Sequence, residues 1–117
     1  PLSSYYRDSV LDTIIGNWCY VSLHSGTPGL TGTNEISGGS YARQPVTYAA
    51  ASGGSKKNSA DINFLDMPTV ANLTHVGLWD AVSGGNFLWA VPLDSTKSTS
   101  NGNTFTIATN GLTNTAL

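Results

Sequence analysis

Charge is the scarcest commodity in this 117-residue chain: Asp, Glu, Lys and Arg make up 10% of it, against roughly 25% in an average soluble domain. Of the five basic residues only Lys56 and Lys57 adjoin. No basic stripe exists to displace phosphate counterions, so a nucleic-acid partner is excluded. No apolar run approaches the roughly 20 residues of a membrane-spanning helix, and the opening residues lack a signal-peptide pattern. Cysteine occurs once, at Cys19, so no intrachain disulfide forms. Its place in an apolar alternation marks it as a small buried hydrophobe rather than a reactive thiol.

The same poverty bears on chemistry. His24 and His75 are the two histidines, 51 positions apart, with no Glu or Cys at ligand spacing, so a zinc-type site is not expected. Gly38-Gly39-Ser40-Tyr41-Ala42 lacks the closing glycine of a nucleophile elbow. The seven acids are scattered, and Glu35 is the one glutamate, which gives no carboxylate pair for glycoside cleavage. No Gly-Lys-Ser/Thr reaches for a nucleotide, and Asp61, Asn63 and Asp66 lack the turn glycine and distal Glu of a calcium loop. No catalytic residue, metal ligand or cofactor is therefore expected, and the protein reads as a non-enzyme. Trp18, Trp79, Trp89 and five tyrosines read as core or interface anchors. Their alternative use is as stacking platforms of a carbohydrate-binding module.

What the chain has in abundance is small and neutral. Ser, Thr, Asn and Gly supply 51 of its 117 residues. Such a surface meets another protein with few ions to desolvate. The length suits one domain over residues 1–117.

Residues 3–15 carry the single helical pattern. Tyr6, Val10 and Ile14 recur every fourth position, Ser3 or Ser4 supplies an N-cap, and Gly16 ends the turn. Two readings stand for it: packing on its own domain, or docking on a neighbouring subunit. The period then changes to two. Cys19, Val21 and Leu23 share one face of a strand, and residues 25–40 form a long loop with five glycines and one proline. Further strands are expected at 42–48 (an edge, because of Pro45), 60–65, 74–79, 87–93 and 104–108, with a last short one near Leu112. Ser-Gly-Gly and Asn-Gly pairs fill the connectors. The fold class expected is all-β: an antiparallel β-sandwich or jelly-roll-like domain of about six to eight short strands over 17–117, with one N-terminal α-helix.

Two runs carry a resemblance. Residues 20–29 (Tyr-Val-Ser-Leu-His-Ser-Gly-Thr-Pro-Gly), followed by Glu35-Ile36-Ser37-Gly38-Gly39-Ser40-Tyr41-Ala42-Arg43-Gln44, form the first. Thr74-His75-Val76-Gly77-Leu78-Trp79-Asp80-Ala81 with Gly84-Gly85-Asn86-Phe87-Leu88 forms the second. Together they resemble a family of small bacteriophage structural proteins labelled tail fibre or minor tail protein. The resemblance implies a virion component assembled in the host cytoplasm, with no catalytic residues to carry over. It departs locally: the family's acid before Pro28 is Thr27 here, and its glutamate two positions after Pro28 is Leu30. Similar small β proteins serve as capsid cement, often as trimers. The leading expectation is accordingly a capsid decoration protein, a homotrimer bound to the major capsid protein, with a tail fibre or minor tail subunit as the alternative. Residues suited to the interface are Tyr5, Tyr6 and Val10 on the helix, Pro28, Leu30 and Glu35 in the long loop, and Tyr41, Arg43 and Gln44 after it.

Overall fold

The computed structural model describes Ser3, Tyr5, Tyr6, Ser9 and Asp12, then residues 19–53 and 55–115. Eight strands run through these residues: β1 (Cys19–His24), β2 (Gln44–Val46), β3 (Ser55–Lys57), β4 (Ile62–Phe64), β5 (Val70–Trp79), β6 (Phe87–Thr99), β7 (Phe105–Ile107) and β8 (Thr113–Thr115). All pairings are antiparallel. One sheet has the order β2-β1-β5-β6, and β3-β8 and β4-β7 form two small sheets. The expected all-β antiparallel class stands. Most of the helix expected over 3–15, including Val10, lies outside the described residues, and no helix is among the elements of the described ones. Ser3 Oγ does accept a bond from Tyr6 N at 3.2 Å, the spacing of an N-cap.

The core follows from strand alternation. Cys19, Val21 and Leu23 of β1 face the same way as Val76 and Leu78 of β5, because Leu23 pairs with Val76 and Val21 with Leu78. Against that face pack Ile62 and Phe64 of β4, Ile107 of β7, Met67 and Leu112. Each such side chain contributes roughly 1.5–3 kcal/mol on burial. Burial pushes the Cys19 thiol above its ordinary value, which keeps it protonated and inert. Pro45 sits in the edge strand β2, opposite Tyr20.

Three features depart from expectation. β3 was not expected; Ser-Lys-Lys carries no apolar alternation, and it forms by pairing with β8. β5 and β6 extend well beyond their apolar stretches, since a long antiparallel pair holds polar residues in the ladder once the apolar half is registered. Third, β6 slips against β5: Leu73 pairs with Lys97 while His75 pairs with Pro92, so extra β6 residues bulge out between them.

A buried amide closes the small sheets. Asn58 is fully buried, donates through Nδ2 to Ala60 O and Ala108 O at 2.9 Å each, and accepts Leu112 N at 2.9 Å. Lys56, also buried, reaches Asp12 Oδ1 at 2.7 Å. The Lys56 bond, with Ala51 N, holds the Asp12 carboxyl below its ordinary value. Asp12 of the N-terminal segment is thereby tied to its own chain. Asn58→Ala leaves the Leu112 N–H without its acceptor, at a cost of about 1–3 kcal/mol, while Ala108 O keeps its bond from Gly111 N. A urea titration should show a lower midpoint with an unchanged slope.

Candidate functional site

Opposite the apolar core, the other face of β1 and β5 carries Ser22, His24, His75, Gly77 and Trp79. Ser22 and His24 are fully buried although polar, so they must be covered and bonded. The cover is the loop following β1.

Arg43 anchors this face. Its Nε and Nη2 donate to Glu35 Oε2 and Oε1 at 3.0 and 2.9 Å, and its Nη1 donates to Ala81 O and Gly84 O at 3.1 and 2.8 Å. Four of five guanidinium N–H groups are thereby used, and the plane lies 3.7 Å over the Trp79 ring. Its side chain is 9% exposed and that of Glu35 23%. Tyr41 Oη donates to Glu35 Oε2 at 2.8 Å, accepts Leu23 N at 3.0 Å, and its ring stacks on Phe64. Burial pushes the Glu35 carboxyl up, but the bonds from Arg43 and Tyr41 outweigh it and hold the group below 4.5.

Beneath the loop runs a second chain of bonds. Trp79 Nε1 donates to Ser22 Oγ at 2.8 Å, Ser22 Oγ meets His24 Nε2 at 2.6 Å, and His24 Nδ1 meets Thr33 O at 2.8 Å. Gly77 makes room for it: a Cβ there would lie 2.6 Å from Ser22 Oγ and 2.8 Å from His24 Nε2 and from Phe87. Gly32, at φ +80°, lets the loop backbone settle onto Trp79 and Phe87, where a Cβ would clash with both rings. The Ser–His contact has the spacing of a nucleophile and its base. Its atoms are sealed under the loop, and no acid orients the imidazole. Among the described residues no group of three or more His, Cys, Asp or Glu side chains is placed to hold a metal.

Residues 2–115 match the family model of the Podophage GP4 fiber I protein gp80. The chain belongs to this family. It is a bacteriophage virion structural protein. A comparison with curated proteins gave no match.

The geometry explains why the two runs of the fiber-family resemblance go together. Arg43, from the first run, bonds the backbone of the turn in the second, at Ala81 and Gly84. Asp80 closes that turn on Asn86, accepting its N at 2.7 Å and its Nδ2 at 2.9 Å. These bonds, the backbone one first, hold the Asp80 carboxyl below its ordinary value. Gly77 of the second run lies against Ser22 and His24 of the first.

Of the residues expected at an interface, the fold brings Glu35, Tyr41 and Arg43 together and turns their polar groups inward. Gln44 is half-buried in β2, donating to Ala42 O at 3.1 Å. Pro28 is buried within the loop, whereas Leu30 beside it is 95% exposed. Tyr5 and Tyr6 are exposed and stand apart from this cluster in the N-terminal segment; Val10 falls outside the described residues. No sequence pattern marks Ser22, His24 and Trp79 as partners. The available signal was Gly77 inside a strand pattern, which marks close approach.

Arg43→Met leaves Glu35 with Tyr41 as its remaining side-chain donor and takes the guanidinium from the Ala81 and Gly84 carbonyls; it should destabilise the protein by about 3 kcal/mol, the low end for breaking a buried pair, because Glu35 also keeps some exposure. Thermal unfolding checks this. Because the folded Glu35 value is depressed, its contribution is complete above 4.5 and is lost as pH falls through the folded value. Glu35→Gln should flatten the stability profile in that acid window and leave its slope near neutrality unchanged, as read by denaturant midpoints across pH.

Proposed function

We propose that this chain is a structural subunit of a phage fibre or tail, working through protein–protein contacts and without catalysis. The match to a fiber family over residues 2–115 carries this reading. It favours the tail-side alternative over capsid decoration, which low charge and analogy with cement proteins had put first. We read the stacked sheets as a sandwich-type fold and the working form as a homo-oligomer.

The contact points favoured are those the internal network leaves outward. Leu30 crowns the loop, and with Gly29, Leu88 and Trp89 it borders a surface hollow of about 360 Å³. In the resemblance drawn from the sequence, Leu30 also stands where the family's run carries a glutamate. An interface centred there gains from desolvating carbon rather than pairing charge. Tyr5 and Tyr6 offer rigid amphipathic area on the N-terminal segment.

Immunogold labelling of intact virions should decorate the fibre or tail; label confined to the head would overturn the reading. Leu30→Asp should leave the circular dichroism spectrum and melting temperature of the isolated protein unchanged while lowering its incorporation into particles, measured by quantitative blotting of purified virions.

A further inference from the structure

Where β6 slips against β5, a hollow opens beside the core. Between the His75–Pro92 and Leu73–Lys97 pairs β5 has one residue, Thr74, whereas β6 has four: Leu93, Asp94, Ser95 and Thr96. The surplus bows out of the ladder. Beside it lies a space of about 410 Å³, within the range of sites that take up small molecules and side chains. Val76 of β5, Val91 and Leu93 of β6, Ile107 of β7 and Leu112 line it. Val76, Ile107 and Leu112 belong to the buried core, and Val91 and Leu93 pack against it. The hollow is thus an opening onto the apolar interior.

Its far wall is fixed in advance. Asn58 accepts Leu112 N and donates to Ala108 O, and Gly111 N donates to Ala108 O at 2.8 Å. These bonds hold the turn between Ile107 and Leu112. A wall ordered before binding spares an occupant that part of the ordering cost.

Among the residues lining the hollow one is charged, Asp94. It rides on the displaced stretch of β6, and its side chain is 89% exposed. Its ion partner is Lys97, whose Nζ lies 3.6 Å from Oδ1. An exposed pair of that length is weak and screened by salt, so a second ammonium can take its place. The lining therefore matches carbon along its length and positive charge at its rim. An anionic group is opposed by Asp94, and a purely apolar one gains nothing from it. A lysine side chain meets both conditions, because its flexible carbon stem lies on apolar surface while its ammonium stays in water.

We propose that this hollow seats a lysine side chain of a neighbouring protein in the particle, with its stem against Val91, Leu93 and Leu112 and its ammonium at Asp94. The site rests on the reading of the chain as a subunit that works through protein–protein contacts. It shares no lining residue with the hollow beside Leu30, so it provides a second point of attachment.

The test titrates the full chain with Nα-acetyl-lysine methylamide at constant ionic strength and follows the methyl resonances of Val76, Val91, Leu93, Ile107 and Leu112. The matched controls are the norleucine compound, which has the same stem without the amine, and the glutamate compound. The expected result is saturable shifts at these methyls, with the norleucine compound bound roughly two- to fivefold more weakly and the glutamate compound giving none. Asp94→Asn, at an exposed position, should erase the preference for lysine over norleucine. Lys97→Gln, which removes the competing ammonium, should tighten lysine binding. The proposal is overturned if these methyls do not move, if norleucine binds as well as lysine, if the preference survives Asp94→Asn, or if Lys97→Gln weakens binding. Gold label confined to the head overturns the fibre or tail reading and leaves this titration as it stands; unmoved methyls overturn the lysine site and leave the labelling as it stands.

Discussion

A guanidinium taken out of water must find a carboxylate and carbonyl oxygens close by, and meeting that demand at Arg43 organises one whole side of the molecule. Glu35 supplies the charge, the turn after β5 supplies the carbonyls of Ala81 and Gly84, and Trp79 supplies a flat surface. These partners come from distant parts of the chain. Satisfying one side chain thus fixes the start of β2, the end of β5 and the exit of the loop relative to one another. Lysine, with a point charge and no planar fork, could not bind all three at once.

The central strands consequently have two different interiors. On one side β1 and β5 bury carbon against carbon, held by area removed from water. On the other they bury hydroxyl, imidazole and indole groups, held by mutual satisfaction. Asn58 does the same for the small sheets through three side-chain bonds. A chain with few charges can keep buried polar positions because amides and hydroxyls carry a smaller desolvation cost than ions. Geometry rather than net charge then decides whether they stabilise.

Much of the apolar interior was legible in the sequence because alternation at period two states which residues share a face. Cys19, Val21 and Leu23 lie together, as do Val76 and Leu78, and Ile62, Phe64 and Ile107 point inward. Pro45 correctly marked an edge, since it lacks the N–H a central ladder needs. The polar interior was not legible. Ser22 and His24 look like the solvent face of an amphipathic strand, and only the loop folding back over them makes them buried. Pairing at that distance, His24 with Thr33 and Arg43 with Gly84, leaves no periodic trace. Aromatic and arginine character suits Arg43 and Tyr41 to an interface, yet that character alone does not say whether such side chains face a neighbour or the interior. β3 escaped for a related reason: its membership comes from β8, not from its own Ser-Lys-Lys.

The slip between β5 and β6 has a consequence for what the open border of the main sheet can accept. β6 is the long outer strand of the main sheet, and a straight, flat border of that length would accept another strand and seed continuous fibrillar stacking. Here Pro92 withholds a donor midway, and the displaced residues beyond it break the line of the border. With this border spoiled for open-ended ladder growth, the fold leaves contact with another protein to side chains, whose contacts can be finite in number and definite in angle.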